Sequence, residues 1–158
     1  MNPYAANLAG HSALEIIAQT PGALTTLMHD IGPEGALHAI APGKWSPRHI
    51  VCHLADCEIA FGFRLRQALA EPNHVIQPFD QDKWSVGYDK QEAAAALAAF
   101  TGTRQWNLAL IASLTPDQLA LPVSHPERGV MTVQTIVETM GGHDRNHLLQ
   151  LEKVAGQK

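Results

Sequence analysis

Apolar residues recur along this chain in steps of three and four, the spacing that lines one face of an α-helix. Ile50, Leu54, Cys57, Phe61, Leu65 and Ala68 form one such stripe, and Val133, Ile136, Val137, Met140, Leu148 and Leu151 form another. The stretch from Glu92 to Ser113 is rich in alanine and carries Leu97, Phe100, Leu108 and Ile111, so propensity and pattern both favour helix there. No segment alternates with the period of two that marks a strand. Four main helices are expected, over about residues 11–30, 46–70, 89–113 and 131–155.

Turn and cap residues agree with these limits. Thr20-Pro21, Ser46-Pro47 and Thr115-Pro116 each place a hydroxyl N-cap before a proline at the first helical position. Pro21 is therefore expected to interrupt the first helix, because an interior proline removes a hydrogen bond and crowds the preceding turn. Asp89 with Glu92 reads as an acidic capping box, and Thr132 as the cap of the last helix. Gly32, Gly35 and Gly156 mark ends, and Gly102 is a candidate kink costing about 1 kcal/mol. The expected fold class is all-α, a four-helix bundle with long connections forming one domain over residues 1–158. The longest connection, residues 72–88, either carries function or takes the chain across an end of the bundle.

Composition narrows the class. Apolar residues are 46% of the chain and charged residues 16%, enough to fill a core without disulfide or metal staples. Eleven basic against fifteen acidic side chains, with no basic run, argue against a general nucleic-acid binder. The longest strictly apolar run, Ala93 to Phe100, is far short of a membrane span, and the N-terminal MNPYAANLAG lacks a signal peptide's basic start. Cys52 and Cys57 fall on different faces of one helix, too far apart to bridge, and read as reduced thiols. A cytoplasmic protein is the expectation.

Nine histidines stand out. His143 and His147 lie one turn apart on the buried stripe of the last helix, about 40° apart around its axis, a spacing from which two imidazoles can reach one metal ion. In HDRNH, Asp144 occupies the place where a zinc-protease helix needs a glutamate base, so that chemistry is rejected. His53, about 60° from the centre of its stripe, can point into the bundle from the second helix. His49, one turn earlier, lies further towards the polar face. Three neutral imidazoles suit Zn²⁺, Ni²⁺ or another borderline divalent ion and leave positions open for water or substrate. His11, His29, His38, His74 and His125 lie near predicted ends or loops and receive no role.

The string WSPRHIVCHLADCE (Trp45–Glu58) resembles the second-helix motif of the DinB/YfiT-like superfamily, and HDRNHLLQLE (His143–Glu152) resembles its last-helix motif with paired histidines. Gln19-Thr20-Pro21 and the FDQDKW loop extend the resemblance over residues 14–155. The resemblance implies a four-helix bundle, often a homodimer, with a divalent metal on His53, His143 and His147. His49 departs from it, since relatives often carry an acidic residue there. Members with assigned activity include thiol-dependent S-transferases using bacillithiol, mycothiol or glutathione, maleylpyruvate isomerases and metal-dependent hydrolases.

Two chemistries stay open at such a site. Zinc can lower the pKa of a bound water to about 7 for hydrolysis, or deprotonate a coordinated thiol for transfer to a small electrophile. Thiol S-transfer with a low-molecular-weight thiol is the leading expectation, with a metal-dependent hydrolase as one alternative and a non-enzymatic metal-binding or stress-response homodimer as the other. No nucleic-acid or membrane partner is expected. Asp56 or Glu58 could orient an imidazole, although solvation of the helix face is the simpler role for both. Cys57 is either a small hydrophobe or a neighbour and further ligand of the metal. Asp80, Asp82, Trp84 and Tyr88 either cover the metal or pin the crossover. Trp45 reads as a staple before the helix, and Trp106 as core.

Overall fold

The computed structural model describes residues 2–156, and its helices begin where the chain supplies caps. A one-turn helix α1 (Ala5–Leu8) precedes α2 (Ala13–Gly35), whose N-cap Ser12 accepts from the Glu15 amide. Helix α3 (Pro47–Ala70) starts behind Ser46, which accepts from the His49 amide. The crossing segment holds α4 (Gln81–Ser85), capped by Asp80, and a 3-10 turn at Tyr88–Lys90. Helix α5 (Ala93–Ala112) runs through Gly102 unbroken. A capping box of Thr115 and Gln118 opens α6 (Pro116–Leu119), which leads to strands β1 (Pro122–His125) and β2 (Gly129–Thr132). Thr132, paired with Thr135, caps α7 (Val133–Ala155).

Helix α2 packs on α7 and α3 on α5, and contacts of α3 with α7 and α2 with α5 close the four-helix bundle. The fold is all-α in architecture, with one feature the pattern did not predict. Strands β1 and β2 form an antiparallel hairpin in which Val123 and Met131 are the buried hydrophobics. One inward hydrophobic per strand is too little alternation to read. The hairpin anchors the crossing segment: Ile76 donates to the Ser124 carbonyl at 2.8 Å and Ser124 to the His74 carbonyl at 3.0 Å.

Three local expectations are corrected. Helix α2 continues through Pro21, and its non-helical residue is Gly32 (φ 69°), just before Pro33. Thr20 is therefore no cap; its hydroxyl donates back to the Ile16 carbonyl. Pro21 has no amide proton for the Ile17 carbonyl, and that carbonyl instead accepts from the Arg104 guanidinium at 2.9 Å. The helix survives its proline because a side chain from α5 fills the gap in its ladder. Glu92, not Asp89, is the N-cap position of α5, and its side chain makes no cap hydrogen bond; Asp89 pairs with Arg48 instead. Trp106 is 69% exposed, lying under Arg66 on the outer face, so it is not core.

The apolar core is divided in two. One cluster gathers Ile17, Phe61, Leu65, Ile111, Val133 and Met140, and the other Leu24, Ile31, Leu54, Phe100 and Leu151. On each of α3, α5 and α7, buried polar residues fall between the two sets: His53 and Glu58, Arg104 and Asn107, His143, Asp144 and His147. The bundle thus carries a polar layer at mid-height, and the candidate site lies in it.

Candidate metal centre

Residues His53 on α3 and His143 and His147 on α7 are each at most 6% exposed. Their rings form a closed triangle, with centroids 5.1 Å apart for His53 and His143, 5.0 Å for His53 and His147, and 4.6 Å for His143 and His147. The one-turn spacing on α7 places the latter two on a common face, and the α3–α7 packing brings His53 to them. All three sequence-predicted ligands therefore meet. Their donor atoms are not equivalent, however. Nε2 of His53 and Nε2 of His143 face each other at 3.0 Å, whereas His147 Nδ1 pairs with Gln150 Oε1 at 3.2 Å. Among the described residues, the metal-binding atoms grouped within 4.8 Å of one another belong to His53, Cys57 and His143.

Burial sets the electrostatics. It pushes His53 down to about 3, helped by the charge of His147, and holds His143 far below and His147 below the ordinary imidazole range. The same desolvation pushes the Cys57 thiol upward. The rings are consequently neutral lone-pair donors at neutral pH, the state in which imidazole binds a metal. His143 Nδ1, buried, has no hydrogen-bond partner. Neutral imidazoles with two nitrogens aimed at one point, and a thiol beside them, fit a borderline divalent ion.

In the metal-free protein these shifts make stability pH-dependent. The unfolded imidazoles protonate near 6.5 and the folded ones only well below it, so the unfolded state binds more protons in that interval and stability rises with pH. The contribution is present above about pH 6.5 and is lost as pH falls towards 3, at about 1.4 kcal/mol per pH unit for each imidazole. Urea midpoints of metal-free protein measured between about pH 8 and pH 4.5 should fall steadily below about pH 6.5; a flat profile would show that the rings are not buried neutral.

Beneath the rings lies a network that motif reading missed. Arg104 donates to both oxygens of Asp144 at 2.6 and 3.2 Å and to Glu58 Oε2 at 2.6 Å. Asn107 donates to Glu58 Oε1 at 2.7 Å and accepts from Arg66 at 2.7 Å. A Cβ at Gly62 would lie 2.6 Å from Asn107 Oδ1, so glycine there is what lets the amide in. Burial alone would lower the Arg104 pKa, but Asp144 and Glu58 carry it above its usual value. Asp144 adjoins His143 and Glu58 adjoins Cys57, so one guanidinium ties together the two ligand-bearing helices. The available signal was Arg104 itself, in helical register with Phe100 and Ile111 on an apolar face.

Other expectations resolve individually. Glu58 neither orients an imidazole nor solvates the surface; Asp56 accepts from the Tyr88 hydroxyl at 2.6 Å. His49 stays outside the triangle, bonded to Ser46 Oγ at 2.7 Å and 3.3 Å from Asp89. Trp45 packs as expected, but on His53, with ring centroids 4.7 Å apart. Phe79 and Trp84 stack at 4.4 Å, pinning the crossing segment. Cys52 and Cys57 are free and buried.

Two cavities adjoin the rings. One of about 540 Å³ is lined by Lys44, Trp45, Asp82, Asn146, His147 and Lys153. The other, about 170 Å³, is lined by His53, Cys57, Phe61, Arg64, His125, Arg128 and His143. Tyr4 and Gln81 line both. Sequence reading found no role for Tyr4 or His125. Tyr4 stands edge-on to His143 with centroids 5.2 Å apart, and a Cβ at Gly142 would collide with its backbone, so the glycine gives the N-terminal segment its seat.

Comparison with known proteins follows the same lines. A family model described as the DinB superfamily matches residues 16–151. Two Oceanobacillus iheyensis proteins, each named a putative metal-dependent hydrolase, are 25% and 24% identical over 143 residues, covering 90% of this chain and 83% of each relative. A Bacillus cereus protein of the same name is 25% identical over 135 residues, 85% of this chain and 78% of its own. The fold matches that of YfiT from Bacillus subtilis with a TM-score of 0.85 at 20% identity, covering 92% of this chain and 85% of the other. That protein is described as a probable metal-dependent hydrolase with an unusual four-helix bundle topology.

Proposed function

The chain belongs to the DinB superfamily, and from that premise we propose that it is a divalent-metal-dependent enzyme that transfers a small thiol to an electrophilic carbon. The observation that carries this reading is the pair of cavities meeting at one histidine cluster, which offers space for two reactants. His53, His143 and His147 would hold a zinc or nickel ion. When bound, the ion supplies Lewis-acid chemistry, favouring the deprotonated form of a thiol or water beside it.

The chain's own residues supply the rest. Lys44 and Lys153 offer cations to an anionic thiol cosubstrate in the larger cavity, while Phe61 and Arg64 border the smaller one, where an electrophile fits. In the transfer, a carbon–sulfur bond forms, the leaving group departs with its electron pair, and the thiol proton passes to solvent. Hydrolysis of a small substrate is the second reading, favoured by the names of the Oceanobacillus and Bacillus relatives.

The two separate experimentally. Metal-loaded protein is incubated with monochlorobimane and, in turn, glutathione, bacillithiol and mycothiol, and separately with p-nitrophenyl acetate and no thiol. Metal-dependent conjugate formation supports transfer. Metal-dependent ester cleavage without thiol supports hydrolysis instead. Inactivity in both, with metal bound, favours a non-enzymatic metal-binding module.

A further inference from the structure

Resting on the metal-binding reading above, we infer that Cys57 is itself a ligand of the ion, making the centre a mixed imidazole–thiolate site. Its Sγ lies 3.4 Å from His53 Nε2 and 3.8 Å from His143 Nε2, and the two nitrogens are 3.0 Å apart. A tetrahedral ion with metal–nitrogen bonds of about 2.0–2.1 Å and a metal–sulfur bond of about 2.3 Å separates its nitrogens by about 3.4 Å and each nitrogen from sulfur by about 3.6 Å. The three atoms already stand within a few tenths of an ångström of that triangle. Cys57 is one turn beyond His53 on α3, so both point to the same face, and the α3–α7 contact delivers His143.

The competing role, a small buried hydrophobe, accounts for its place beside Ile17 and Phe61 but not for a sulfur set against two imidazole nitrogens. Cys52 provides the contrast on the same helix: it is buried in the other apolar cluster and belongs to no metal-binding group among the described residues. His53, Cys57 and His143 give three protein ligands, a count that leaves a fourth position for His147 or an exchangeable molecule. Binding releases the Cys57 thiol proton to solvent, and the thiolate biases the site towards Zn²⁺ and Co²⁺ over Mg²⁺ and Mn²⁺.

Cobalt substitution tests this without reference to activity. Untagged wild type and Cys52→Ser loaded with Co²⁺ should both show visible d–d bands and a near-ultraviolet sulfur-to-cobalt charge-transfer band. In Cys57→Ser the charge-transfer band should vanish while d–d bands remain. Cobalt bound without that band, or a band that survives Cys57→Ser, overturns the ligand assignment and leaves the proposed function standing. Protein that takes up no cobalt, zinc or nickel by elemental mass spectrometry overturns both. If Cys57→Ser does not fold, X-ray absorption on zinc-loaded wild type decides, since a sulfur scatterer at about 2.3 Å supports the thiolate and a nitrogen/oxygen-only shell excludes it.

Discussion

Untagged protein carrying His53→Ala or His143→Ala should emerge from zinc loading and desalting without metal, while the wild type keeps a single equivalent. These residues hold the two nitrogens that face each other at 3.0 Å, and either substitution removes one of them outright. The loss should exceed the roughly 10–100-fold in affinity that removal of a mere outer partner of a ligand costs. His147→Ala should also lower metal content, and comparison of the three variants ranks their contributions. His49→Ala is the control, since His49 is engaged by Ser46 and Asp89 outside the triangle. Elemental mass spectrometry gives the stoichiometry and far-ultraviolet circular dichroism verifies that the variants stay helical. Metal retained in full by folded His53→Ala would remove the site.

Replacing Arg104 should destabilise the protein more than any other single change outside the apolar core. Its guanidinium is essentially inaccessible and serves Asp144, Glu58 and the Ile17 carbonyl together. Arg104→Met keeps most of the volume but leaves two buried carboxyl groups facing each other without a cation. Breaking a buried ion pair from one side costs about 3–5 kcal/mol, and that is the expected drop in urea-unfolding free energy. Adding Glu58→Gln and Asp144→Asn to Arg104→Met should recover part of the loss, because the uncompensated charge is then gone. A loss below about 1 kcal/mol for the single variant would mean that the network is weakly coupled to folding.

The network gives the buried acids a purpose that neither lone motif reveals. Asp144 is the residue that disqualifies HDRNH as a protease helix; the structure shows it engaged with Arg104 from below the rings. Glu58 is engaged by the same guanidinium, one residue from Cys57. Arg104 thereby fixes the separation of α3 and α7 at the level where their ligands meet. Its cost of burial is offset by two carboxylates, and Asn107 and Arg66 carry the chain of hydrogen bonds out to the half-buried edge of the bundle.

The sequence by itself determined everything that follows from helical geometry. The four long helices, the Ser46, Thr115 and Thr132 caps, and the common face of His143 and His147 are local, because 3.6 residues per turn and cap chemistry act within a few neighbours. Even the inward position of His53 was readable from its angle to the apolar stripe. Pro21 shows where such reading ends, since its effect on α2 depends on an arginine 83 residues further along the chain. The meeting of His53 with His143 spans 90 residues, and the bonds of Arg104 to Glu58 and Asp144 span 46 and 40. Tertiary structure alone decided that Cys57 faces the imidazoles, that Tyr4 stands between two cavities, and that His147 bonds to Gln150 instead of joining the tightest group of ligand atoms. Periodicity assigns a residue to a face; which atoms touch on that face is fixed only when helices distant in sequence pack at one separation and register.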